Sequence, residues 1–146
     1  MPLIQEPAIP DTTAKIERFR PSHLHNKPHF TSLVTCEGGK TIHVSGLVAS
    51  DANGELVAPG DLGGQMNYIF ENIKLALAEV GATPANVVRQ RIFVLDMQLD
   101  HRPVISGAMN AFYGDGGSAA STCIGASALL IEGALVEIDV TAVIDG

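Results

Sequence analysis

Glu137 carries the most promising chemistry in the chain. It sits in the run Leu135–Ile144 and alternates with Val136, Ile138, Val140 and Ala142, so it faces away from that apolar set. A carboxylate on a partly apolar face must be paired or hydrogen-bonded to stay charged. One role is an ion pair with Arg89 or Arg91. The other is to orient water or an amine in a pocket between subunits. Local reasoning alone favours the ion pair. His23, His25 and His29 suggest Zn²⁺, but their spacing fits no closed site, and Cys36 is the only nearby sulfur. They are expected to be solvated loop histidines, with no metal bound. Cys123 would need a base in reach and a depressed pKa to be a nucleophile. Between Thr122 and Ile124 it is expected to be a structural thiol, facing away from Ala120 and Thr122. The glycine-rich stretch 114–118 lacks the lysine of a phosphate loop and precedes a strand. Gly63 and Gly64 fall inside a helix, so they form no nucleotide fingerprint.

Composition bounds what these residues can belong to. At 146 residues and 15.3 kDa the chain is one ordinary domain. With 46% hydrophobic and 17% charged residues it is neither disordered nor a coiled coil. Nine basic against sixteen acidic residues give a charge of −7. That surface repels phosphate backbones, so no nucleic-acid partner is expected. Two cysteines are too few for a disulfide framework, and buried, reduced thiols are expected. No signal peptide and no apolar run long enough for a membrane span are seen. The expectation is a cytoplasmic protein without membrane contact.

The elements follow from periodicity. Residues 1–14 carry Pro2, Pro7 and Pro10 and are expected to form an N-terminal extension to one domain over 15–146. Residues 15–19, 30–36 and 41–46 are extended, the last two expected to pair across the turn at 37–40. A helix over 62–80 has Asp61 as N-cap and Gly81 as its stop. Its apolar stripe is Leu62, Met66, Ile69, Phe70, Ile73, Leu77 and Val80. Gly63 and Gly64 weaken its first turn, which points to close approach of another backbone. Strand 87–95, helix 103–113 and strands 120–126 and 135–144 complete the order. Two helices cover one face of a sheet, which predicts an α+β two-layer sandwich. Its second face, with Arg89, Arg91, Phe93, Glu137, Asp139 and Thr141, suits a subunit interface with polar sites in it.

The motifs together resemble a known family. Val44-Ser45-Gly46, Gly54-Glu55-Leu56-Val57, Gln65, Glu71-Asn72-Ile73, Gly81-Ala82 and the closing GALVEIDVTAV at 133–143 are similar to the Rid (YjgF/UK114) reactive-intermediate deaminases. The resemblance runs from about Phe30 to Val143. It implies a mixed sheet with two helices on one face, as in chorismate-mutase-like trimers. It also implies a homotrimer with a small-molecule pocket between neighbouring subunits, and no cofactor. Active members hydrolyse enamines and imines such as 2-aminoacrylate to 2-keto acids and ammonia. Their catalytic arginine, which clamps the substrate carboxylate, falls at Ala120 here. The pocket aromatic falls at Phe30, without a hydroxyl, and an asparagine position falls at Ser106. Ser45, Gly46, Thr122 and Glu137 line up with pocket residues, Glu137 as the catalytic carboxylate. Arg91 or Arg89 is expected to be the alternative cation. The pattern therefore implies a metabolite-binding trimer, either a slow C=N hydrolase or a non-enzymatic binder, and a poor 2-aminoacrylate deaminase. Ribonuclease activity, a name attached to the family, is disfavoured by the acidic charge.

Overall fold

The computed structural model describes Leu3, Ile4, Ala8 and residues 11–146. Half of the extension expected at 1–14 lies outside the described residues. The strands are β1 (Lys15–Phe19), β2 (Leu33–Glu37), β3 (Lys40–Leu47), β4 (Val87–Leu95), β5 (Ala120–Ala126) and β6 (Val136–Ile144). The helices are α1 (Leu62–Glu79) and α2 (Arg102–Tyr113). The α+β class and the element order stand as expected. Short 3₁₀ turns at Pro84–Asn86 and Leu99–His101 are added.

Topology decides where the helices go. The main sheet has the order β3-β6-β4-β5, with β6 antiparallel to β3 and β4, and β4 parallel to β5. The crossovers β3–α1–β4 and β4–α2–β5 both join parallel strands and both step the same way across the sheet. Crossovers of one hand that step in one direction put their helices on one face. Among the described residues no helix covers the other face.

The core lies between helices and sheet. Met66, Ile69, Phe70, Ile73 and Leu77 of α1 are buried against Ile92, Val94, Val136, Ile138 and Val140. Each such side chain contributes about 1.5–3 kcal/mol of burial. Phe70 of α1 stacks on Phe112 of α2, with centroids 4.6 Å apart. Asp61 caps α1, its side chain accepting from the Gly64 N–H at 2.9 Å, and Gly81 ends the helix at φ +79°. Val80 lies at the exposed edge of the predicted stripe. The glycines in the first turn have a different cause from the one expected. What approaches them is side chains, Val104 at Gly63 and Asp61 and Ala58 at Gly64. Buried Gln65 joins three segments, donating to Ala58 O and Gly133 O and accepting from the Leu135 N–H.

Two expectations are corrected. Residues 30–36 and 41–46 do not pair with each other. β2 pairs with β1, while β3 pairs with β6, so the turn at Gly38-Gly39 joins two sheets. The β1–β2 ribbon lies against the ends where β4 and β5 begin. There Arg18 donates to Ser118 O at 3.0 Å and Ala85 O at 2.7 Å. Gly117, at φ +88°, leaves room for it, since a Cβ there would stand 3.0 Å from the Arg18 side chain. Cys36 is exposed rather than buried, because this ribbon is too thin to cover both its faces.

Candidate functional site

The open sheet face is polar at its centre and apolar beside it. Alternation along β4 turns Arg89, Arg91 and Phe93 toward it, while Gln90, Ile92 and Val94 are buried beneath the helices. On β6, Glu137, Asp139 and Thr141 share that face, with Phe93 opposite Glu137 and Arg91 opposite Asp139. The predicted alternation holds in both strands.

The cations on this face are engaged, but not by Glu137. Arg91 grips Asp139 with two contacts, Nε to Oδ1 at 3.0 Å and Nη2 to Oδ2 at 2.8 Å. Arg89 reaches the neighbouring strand and donates to Thr122 Oγ1 at 2.6 Å. Glu137 is half-buried and makes no ion pair or hydrogen bond among the described residues. The ion pair favoured by local reasoning is therefore absent, and the carboxylate remains available.

Glu137 is held against β3. The ladder between β3 and β6 slips between Val44 and Leu47, leaving Ser45 and Gly46 without partners on β6. Such bulges re-aim side chains and recur beside active sites. A Cβ at Gly46 would stand 2.5 Å from Glu137 Oε1, so only glycine lets the carboxylate lie there. Ser45, Gly46 and Glu137 are thus brought together. Ala120 and Thr122 lie on the same face at the far edge of the sheet, and Ala120 is the register partner of Arg89.

Phe30 and Ser106 lie elsewhere. They line a cleft of about 750 Å³ on the helix side of β5, between α2 and the loop before β2. Ser121 and Cys123 form its sheet wall, and Met97, Ile105 and Met109 supply apolar surface. Behind the wall is a buried polar chain. Tyr113 donates to Gln90 Oε1 at 2.6 Å, and Gln90 donates to Ser121 Oγ at 2.9 Å. Burial pushes the Cys123 thiol up, which disfavours the thiolate a nucleophile needs. It faces away from Ala120 and Thr122, as expected. His25 and His29 are at the cleft, while His23 is not among its lining residues. Burial, then the charges of Lys27 and Arg20, push His29 below the usual imidazole value. Among the described residues no group of three His, Cys, Asp or Glu side chains is placed to hold a metal ion. No described helix is long and apolar enough to cross a membrane. Sequence reasoning missed Lys27 and Arg102 of the cleft; the basic character around 20–29 is a signal for Lys27 alone, and nothing local marks Arg102.

A four-stranded mixed sheet, two helices on one face and an open polar face with a bulge-held carboxylate define a two-layer α+β protein. The model of the Endoribonuclease L-PSP family matches residues 23–144, and the chain belongs to this family. Solved structures agree. A Rid-family protein of unknown function, YyfB from Yersinia pestis, is 36% identical, with a TM-score of 0.85 over 88% of this chain and 98% of that one. A YjgF/YER057c/UK114 family member from Mycobacterium tuberculosis is 26% identical, with a TM-score of 0.59 over 79% and 86%. RidA from the Antarctic bacterium Psychrobacter sp. is 25% identical, with a TM-score of 0.63 over 74% and 84%.

Proposed function

We propose that the chain assembles with copies of itself through the open sheet face, as a homotrimer. Pockets between neighbouring copies then bind a small metabolite carrying an imine, enamine or carbonyl group. The division of the site residues supports this reading. Phe30 and Ser106 line the cleft on the helix side of β5. Glu137 is on the opposite face and two strands away, at ~4.8 Å per strand about 10 Å; Ser45 and Gly46 are about 14 Å away. A small ligand in the cleft does not reach the Glu137 of its own chain. A second copy, presenting its open face, brings the two halves together.

The chemistry is water addition to C=N. Glu137 orients a water molecule and takes its proton as oxygen bonds to the imine carbon, the C=N pair moves to nitrogen, and Glu137 hands the proton on to that nitrogen. The tetrahedral carbinolamine then loses ammonia as the carbonyl forms. Ser45, Thr122 and the backbone at Gly46 supply hydrogen bonds. On the open face, beside Glu137, Arg91 is held by Asp139 and Ala120 offers no cation, so a carboxylate is not anchored in the position the family's arginine gives it. Turnover of 2-aminoacrylate is therefore slow.

The test is release of 2-keto acid from imines of simple amino acids. Glu137→Gln should lower the rate by roughly 10²-fold, the usual worth of a general base. Saturable binding without release reduces the reading to a binding trimer. A rate that ignores Glu137→Gln contradicts it.

A further inference from the structure

We infer that the cleft beside β5 seats an organic anion with an apolar body, its charge held by Lys27 and Arg102. This rests on the two-copy pocket proposed above and names the ligand class it takes.

The first support is charge. The chain has sixteen acidic residues against nine Lys and Arg. Yet the cleft is lined by Lys27, Arg102, His25 and His29 and, among the described residues, by no Asp or Glu. Composition alone would favour the opposite. The second support is availability. Arg18, Arg20, Arg89 and Arg91 are all engaged, with backbone carbonyls, Thr122 or Asp139. The Arg102 guanidinium and the Lys27 ammonium make no ion pair or hydrogen bond among the described residues; Lys27 is bonded only through its carbonyl, by Arg20. A guanidinium left free at a cleft is suited to a two-point contact with a carboxylate. His29 agrees with this: burial first, and then the positive charges of Lys27 and Arg20, lower its proton affinity.

The third support is shape. The same cleft is lined by Phe30, Ile105, Met97 and Met109. The volume of about 750 Å³ falls in the range of about 300–1,000 Å³ typical of small-molecule sites. Methionines let such a wall adapt to unbranched or ring-shaped bodies. Free cations and apolar side chains in one cleft select an anion with several carbons over a bare anion or an amine.

Three probes of equal length test this on the full chain: hexanoate, hexanamide and hexylamine, by calorimetry at pH 7, with amide chemical shifts locating the site. Hexanoate should bind at least tenfold more tightly than hexanamide, and hexylamine weakest. Shifts should cluster at Phe30, Ser106 and Met109. Arg102→Gln and Lys27→Gln, both away from the core, should each weaken hexanoate about tenfold and leave hexanamide unchanged. Equal binding of hexanoate and hexanamide, or variants without effect, overturns the inference. Shifts centred on Arg89 and Glu137 also overturn it, while leaving the two-copy pocket standing. Hexanoate held in the cleft of a chain that remains monomeric sinks the two-copy pocket and leaves the anion site standing.

Discussion

The Glu137 carboxylate occupies the space that a side chain at Gly46 would fill: a methyl there would stand 2.5 Å from Oε1. Gly46→Ala should therefore move the carboxylate, not the backbone, because what gives way is the end of a flexible side chain. The variant should fold with a stability change within about 1 kcal/mol. Any C=N hydrolysis should fall roughly tenfold or more, since misplacing a catalytic group by an ångström costs on that order. Thermal melts and keto-acid release measured on the same sample decide it. Unchanged hydrolysis would mean that the position of Glu137 does not matter.

The elements and their faces were legible because period-two and helical patterns are strong in α1, β4 and β6. Pairing was less so. Nothing local distinguishes a hairpin at 37–40 from a turn between two sheets; the choice rests on Arg18 anchoring the ribbon at Ser118 and Ala85. The exposure of Cys36 follows from the same pairing, which puts it on a two-stranded ribbon and not in the main sheet. The partners of Arg89 and Arg91 depend on cross-strand register, which single-strand alternation does not fix. The grouping of Lys27 and Arg102, 75 residues apart in sequence, is a product of tertiary folding.

Ala120→Arg should raise the rate on small 2-imino acids, but only in part. A guanidinium forked to a carboxylate contributes about 1.5–3 kcal/mol, roughly 10- to 100-fold. Arg89, its register partner, places a like charge alongside. Adding Arg89→Ser should release more of that gain. Keto-acid kinetics of the single and double variants measure it. A folded, assembled double variant with no gain would show that the pocket has diverged beyond one residue.

Tyr113 should make stability fall in alkali. Burial raises its pKa in the folded chain well above the ordinary value of 10.0. The folded state then keeps the proton that the unfolded state releases, so stability is full below pH 10 and declines as pH rises from there. Denaturant melts from pH 9 upward should show this slope, reduced in Tyr113→Phe. The variant should also lose about 1–3 kcal/mol at neutral pH, because Gln90 Oε1 loses its donor. Identical alkaline slopes for both proteins would contradict the burial of the phenol.

The two thiols should differ in reactivity. Cys36 is exposed, while Cys123 is half-buried with its thiol pKa raised. A thiol reagent at neutral pH should modify Cys36 quickly and Cys123 slowly in the native protein. Both should react in denaturant without prior reduction. Equal native rates would mean that the wall of the cleft opens readily.

Sedimentation equilibrium at micromolar concentration tests the central claim most directly. Phe93 lies on the open face opposite Glu137 and next to Ile124, which is 47% exposed. Assembly through this face would bury both, and Phe93→Asp would bury an unpaired charge beside another carboxylate. The wild type should sediment at three times 15.3 kDa, and Phe93→Asp should shift toward 15.3 kDa with its circular dichroism unchanged. A wild type that sediments at 15.3 kDa would contradict a pocket built from two copies.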